Sequence, residues 1–452
     1  MRRVILFILL GCLFESVSAQ TAKTEIRRNV RLSAGSQLAY LGPQQRQSPA
    51  PFGMKPFYIS HYGCQGSHYL SSAETYNHPY DVLRLADSLK LLTPRGMSVL
   101  ARLATIRQDA IRRLGELTPL GATQLRQIAR RMYERFPEVF EGDATVDARS
   151  TTVVSSILSM ENTLQQLLVL NPRLKVSHEA TQRDMYYMNQ GDSLLWRRLL
   201  SEEVAAPLHE FCQRYDCSQA VLGRLVSDVG TMAARTDVQG FGLALFRVAS
   251  GIQNTELCKR ITLYDVFTDE EVYENWLNEN ARSYCNYGFC PLNGGQQPFS
   301  QRNLLRRIIH EADSCLRMEK PGASLRFGHE TVVLPLVCLL SLDSYGQTIA
   351  DFEQLDDRLV DGVLLGPLAP RQSVQRLFDV VHQRLVVQAA VVFAVKVFEC
   401  LQFLYIAHAH VGSQVEVEGG DSLTAVHLVL VPPGPESAPP SCGLRRAVLC
   451  GR

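Results

Sequence analysis

Three short stretches of this chain carry the side chains best equipped for chemistry: Cys64-Gln65-Gly66-Ser67-His68, the single Arg149, and the adjacent pair His329-Glu330. A guanidinium is a planar fork that binds two oxygens of an anion at once. An imidazole next to a carboxyl group offers a hydrogen-bond partner for an anion and a proton donor for a departing oxygen. A basic nucleophile and helix N-termini would complete a site for phosphoryl transfer. The stretch at 64–68 offers a thiol, an amide, a hydroxyl and an imidazole.

The flanking sequence places all three at strand exits. Pro56 to His61 is aromatic and β-branched and runs into Gly63, which predicts a strand delivering its C-terminal end to a loop. In open α/β sheets that edge binds ligands, because helix N-termini and backbone N–H groups converge there. Thr93-Pro94 and Thr118-Pro119 each place a hydroxyl cap before a proline, and apolar residues at helical spacing follow both. Residues 143–148 predict a short strand, and Ser150-Thr151-Thr152 the start of a helix that ends near Leu170 before Asn171-Pro172. From about 175 to 300 strand alternation is lost and helical patterns dominate. Residues 300–315 are helical again, 323–329 form a strand ending at His329, and an apolar helix spans about 332–342.

Four segments in this order resemble the histidine phosphatase superfamily, in its acid phosphatase and phytase branch, which includes the multiple inositol polyphosphate phosphatases. They are the strand and loop at 57–70, Leu117 to Gly121 with Gln124, Ala148 to Thr151, and Phe327 to Glu330. The resemblance implies an α/β fold with a mixed sheet flanked by helices and an inserted, mainly helical domain. It divides the chain into a signal at 1–19, an α/β domain from 20–170 and 300–358, a helical insertion at 171–299, and an atypical region at 359–452. It further implies that Arg149 and His329 bind phosphate and that Glu330 protonates the leaving group.

The family signature Arg-His-Gly-x-Arg reads Cys64-Gln65-Gly66-Ser67-His68 here, with Leu70 where a proline usually closes the motif. Gln65 holds the nucleophile position, and an amide cannot form a phosphoenzyme. Cys64 and His68 hold the two arginine positions, which removes two charged forks. Rescue by a Cys64 thiolate lacks the Cys-x5-Arg loop that activates one, and His61 and His68 are out of register. Each replacement is one base change from the family residue, a pattern that suits relaxed selection. The expected function is therefore a phosphomonoesterase for inositol polyphosphates or other organic phosphate esters, impaired at Gln65. The alternative is a catalytically silent protein that binds phosphorylated ligands, and a third reading is an interaction protein with no phosphate ligand. No cofactor or metal is expected.

The chain has 452 residues, enough for a large core and more than one structural unit. Lys and Arg total 46 against 45 Asp and Glu, so no global field favours nucleic acid or an anionic membrane, and an anion must be held locally. Arg2-Arg3, an apolar run and Val17-Ser18-Ala19 match a secretory signal cleaved after Ala19, with lipid attachment at Cys12 as the rival. That places the protein outside the cytoplasm, secreted or periplasmic, with no stable membrane insertion. Twelve cysteines fit an oxidising compartment; Cys212 with Cys217 and Cys285 with Cys290 are the closest pairs, read as disulfides or buried thiols rather than metal ligands. After Leu359 the chain contains no Asn, Met or Trp and a single Lys, Lys396. That tail is either a buried β-rich ending or does not share the reading frame of the rest.

Overall fold

A computed structural model describes residues 22–40, 42, 55–188, 191–319, 322–342 and 345–355, with two strands at 412–418 and 425–431. The secretion signal and Cys12 lie outside these residues, as does most of the stretch after Leu359.

Four parallel strands form the heart of the sheet: β1 (Tyr58–Cys64), β2 (Thr145–Ser150), β3 (Lys175–Glu179) and β4 (Gly322–Gly328). Two more, β5 (Gly412–Glu418) and β6 (Ala425–Val431), complete the order β3-β2-β4-β1-β6-β5. β6 pairs antiparallel with β1, so the sheet is mixed, as expected. Among the described residues of the tail, β6 pairs with β1 and β5 with β6. β1 is buried from Tyr58 to Gly63 because both of its faces are covered, which explains its continuous aromatic and β-branched run.

The helices before β3 are α1 (Ala22–Arg28), α2 (Ala73–Ser88), α3 (Pro94–Ala110), α4 (Pro119–Arg135) and α5 (Val154–Leu170). Between β3 and β4 come α6 (Met185–Met188), α7 (Ser193–Leu199), α8 (Glu202–Arg214), α9 (Ser218–Leu225), α10 (Val229–Ala233), α11 (Val238–Gly251), α12 (Asp269–Tyr287) and α13 (Arg302–Cys315). α14 (Glu330–Leu339) follows β4. Both Thr-Pro starts form as expected: the Thr93 and Thr118 hydroxyls accept from Gly96 N–H at 3.0 Å and Gly121 N–H at 3.1 Å.

One sheet face packs Ile59, Val146 and Phe327 against Leu125 and Met132 of α4 and Leu164 of α5. On the other, Tyr58 and Tyr62 enter a larger core with α2, α3 and the helices between β3 and β4. Each fully buried Leu or Phe in these cores contributes about 2 kcal/mol of transfer free energy. One strand falls within the stretch expected to be mainly helical. β3, Lys-Val-Ser-His-Glu, is an edge strand whose side chains are mostly exposed, so it lacks the apolar alternation that marks a strand in sequence.

Candidate active site

The parallel register fixes the site. Cys64 stands opposite Gly328 in the β1–β4 ladder, so Gln65 and His329 leave adjacent strands at the same level of the sheet edge. Gln65 N–H donates to Gly328 O at 3.1 Å, and Ser156 Oγ in the first turn of α5 donates to Gln65 Oε1 at 3.3 Å. The next residues are tied down one by one. Gly66 N–H donates to Ser159 Oγ at 3.2 Å, and Ser67 N–H to Gln124 Oε1 at 3.1 Å. Ser67 Oγ donates to Asn254 Oδ1 at 2.7 Å, linking the loop to the helical layer. His68 Nδ1 lies 3.0 Å from Gly66 O and so carries its proton there.

This loop rests directly on the start of α4. A Cβ on Gly121 would lie 2.2 Å from Ser67 O, and one on Gly66 would lie 2.8 Å from Gly121 O. Only glycine at both positions allows that approach.

A cleft of about 400 Å³ opens over the sheet edge. Its floor includes His61, Cys64, Gln65, His68 and Glu330. Its far wall is helical and carries Arg247 of α11 with Glu279 and Arg282 of α12. Arg247 Nη2 donates to both Glu279 oxygens, at 3.0 and 3.1 Å, and Arg282 Nε lies 3.9 Å from the same carboxylate. One carboxylate therefore faces two cations.

Glu330, the first residue of α14, lies in the cleft lining with Thr331. His329 caps that helix; its backbone N–H donates to Tyr62 Oη at 3.2 Å, and its ring interacts with Glu330 and His68. Burial lowers the His329 pKa, and His68 lowers it further against the opposing pull of Glu330. Burial pushes the Cys64 thiol up to about 12, with Glu330 adding to the rise, so at neutral pH it is not a thiolate.

Arg149 is not brought together with these residues. It is absent from the cleft lining and lies between two carboxylates, with Nη2 2.9 Å from Asp147 Oδ1 and Nη1 2.5 Å from Glu179 Oε2. Conversely, Arg247, Glu279, Arg282 and the serines of α5 escaped sequence reasoning. The arginines sit on ordinary amphipathic helices, but Ser155, Ser156 and Ser159 left a trace: small polar residues on the buried face of an otherwise apolar helix. Among the described residues no group of three or more His, Cys, Asp or Glu side chains is placed to hold a metal ion.

Neither known family models nor characterised proteins match this sequence. Solved structures do match its fold. The multiple inositol polyphosphate phosphatase of Bifidobacterium longum, in complex with inositol hexasulfate, superposes with a TM-score of 0.62 at 13% identity, covering 73% of this chain and 86% of that one. Its apo form gives 0.63 at 12% identity, covering 74% and 85%. The phytase from D. castellii gives 0.56 at 13%, covering 74% and 73%. The chain thus has the histidine phosphatase-like α/β fold, in the form shared by multiple inositol polyphosphate phosphatases and phytases. Among the described residues no helix is long and apolar enough to cross a membrane.

Proposed function

We propose that this chain is a histidine acid phosphatase-type phosphomonoesterase for inositol polyphosphates or other organic phosphate esters, with turnover impaired at Gln65. The observation that carries this reading is the seating of Gln65: it leaves β1 opposite Gly328, its amide oxygen is held by Ser156, and it shares one cleft with Glu330. A phosphate there would meet the first turns of α5 and α14, whose backbone N–H groups favour an anion. Glu330 is the proton donor to the leaving oxygen, and neutral His329 stands beside it. The Gln65 amide can hydrogen-bond to the phosphate but cannot replace a leaving group.

Arg149 would bind phosphate only by releasing Asp147 and Glu179, so the anion-holding role passes to Arg247 and Arg282 on the helical wall. They line the same cleft as Gln65, which gives a ligand with more than one phosphate additional cationic partners. The B. longum complexes with inositol hexasulfate and with phosphate support a multiply anionic small molecule as ligand. Nucleic acid is not among the proposed partners, since the chain's net charge is only +1. Export through the segment ending at Ala19 places the protein in a secreted or periplasmic setting.

A second reading, a silent phosphate-ligand binder, is favoured by Gln65 itself, whose amide cannot form a phosphoenzyme, in a cleft that is also lined by Arg247 and Arg282. One comparison decides between them: phosphate release from inositol hexakisphosphate and p-nitrophenyl phosphate, from acid to neutral pH, by this chain and by a Cys64→Arg/Gln65→His/His68→Arg variant. Slow turnover by the natural chain that the variant accelerates supports an impaired phosphatase. Turnover by the variant alone supports the silent binder, and turnover by neither together with no binding of inositol hexakisphosphate overturns both.

A further inference from the structure

Of the two cysteine pairs with the same spacing, one meets in space. Cys285 lies in the last turn of α12 and Cys290 just beyond its end, and the chain between them turns at Gly288, whose N–H donates to Tyr284 O at 2.9 Å. Both cysteines are buried, and their thiols interact with each other. The backbone around them is held: buried Asn293 donates from Nδ2 to Cys285 O, and Gly295 N–H donates to Cys290 O at 2.8 Å. Cys212 and Cys217 are engaged differently. Cys217 Sγ accepts from Asn275 Nδ2 at 3.1 Å.

We propose that Cys285 and Cys290 form a disulfide that fixes the end of α12 and, with it, the helical wall of the cleft. Glu279, Arg282 and Asn286 of that helix line the cleft, so play in its last turns would move the cations that face the sheet edge. The proposal does not depend on the assigned ligand.

The bond forms by two exchanges. One cysteine thiolate attacks a disulfide donor, either glutathione disulfide or an oxidised thiol oxidoreductase, and expels one thiolate. The other cysteine then loses its proton to that thiolate and attacks the mixed disulfide, expelling the second. The donor takes up both electrons and leaves as two thiols. Because both cysteines are buried, exchange takes place on the folding or locally opened chain.

The full chain, folded with glutathione disulfide present, is denatured, alkylated without reduction and mapped by mass spectrometry. The peptide holding both cysteines should lack both alkyl groups and both thiol hydrogens. Dithiothreitol should lower Tm by about 3 °C, and this shift should shrink in a Cys285→Ser/Cys290→Ser variant. Alkylation of both residues in the oxidatively folded protein, or linkage of either to Cys212 or to the buried Cys338, would overturn the proposal. So would an undiminished dithiothreitol shift in the variant; where the variant fails to fold, peptide mapping of the natural chain still decides.

Discussion

Ser156 Oγ donates to Gln65 Oε1 at 3.3 Å, so the side chain at the nucleophile position is oriented by the first turn of α5. The surrounding loop is fixed independently through Gly66, Ser67 and His68. The seat for a nucleophile is therefore built by backbone and small polar groups, not by residue 65 itself. A histidine placed there inherits a positioned loop.

Gln65→His alone should give weak phosphate release, because it restores a nucleophile without charged forks. Adding Cys64→Arg and His68→Arg should raise kcat by a further factor of about 100 or more, the usual worth of a preorganised charged donor. Steady-state phosphate release from p-nitrophenyl phosphate separates the two variants. Equal rates would show that the forks at 64 and 68 do not reach the reacting phosphate.

The two sets of arginines should behave oppositely. Arg149→Ala should leave the Kd for inositol hexakisphosphate within about 2-fold and cost about 1 kcal/mol of stability, as expected for a partly exposed ion pair. Arg247→Ala should weaken binding by about 10-fold, the cost of a charge-assisted hydrogen bond. Glu279→Gln should tighten it, because the arginines then lose the carboxylate with which an anionic ligand competes. Calorimetric titration of the three variants at two salt concentrations checks this, with the Arg247 effect shrinking at high salt.

The contrast between Arg149 and Arg247 shows what could be read from residues alone. The strands ending at Cys64 and Gly328 were legible because a strand buried on both faces reads as a largely apolar and aromatic run, and Gly63 and Gly328 mark the approach to a loop. The Thr-Pro helix starts were legible because capping is local. Arg149 carried a recognisable motif, but its partner Glu179 lies on β3, an exposed edge strand with no apolar signature. Arg247 and Glu279 are 32 positions apart on helices that look ordinary, and only tertiary packing joins them.

Cys64 should resist alkylation. Its thiol is raised from 9.0 to about 12 by burial and by Glu330, so iodoacetamide should leave it unmodified at pH 8 in the folded protein and react with it after denaturation. The same shift has a stability consequence. The unfolded thiol ionises near pH 9 and the folded one does not, so this contribution is complete below pH 9 and disappears as pH rises toward 12. A Cys64→Ala variant should lose less stability than the natural chain over that window in denaturant titrations. Fast alkylation of Cys64 in the folded state would contradict the burial on which this rests.

The role of Glu330 can be isolated with two substrates in the Cys64→Arg/Gln65→His/His68→Arg background. Nitrophenolate departs readily without a proton, whereas an inositol alkoxide needs one as the P–O bond breaks. Glu330→Gln keeps the shape and hydrogen-bonding capacity at the start of α14 but removes the transferable proton. It should therefore lower kcat on inositol hexakisphosphate by about 100-fold or more while changing p-nitrophenyl phosphate turnover only several-fold. A merely structural role at the helix start would depress both substrates alike, and a role in holding phosphate would appear in KM for both. Neighbouring His329, its pKa lowered by burial, should gain its proton only below the usual imidazole range. Stability should accordingly fall as pH drops through 6.5, where the unfolded imidazole takes up a proton that the folded one refuses. His329→Gln should flatten that acid limb, leaving the substrate-dependent effect of Glu330→Gln in place.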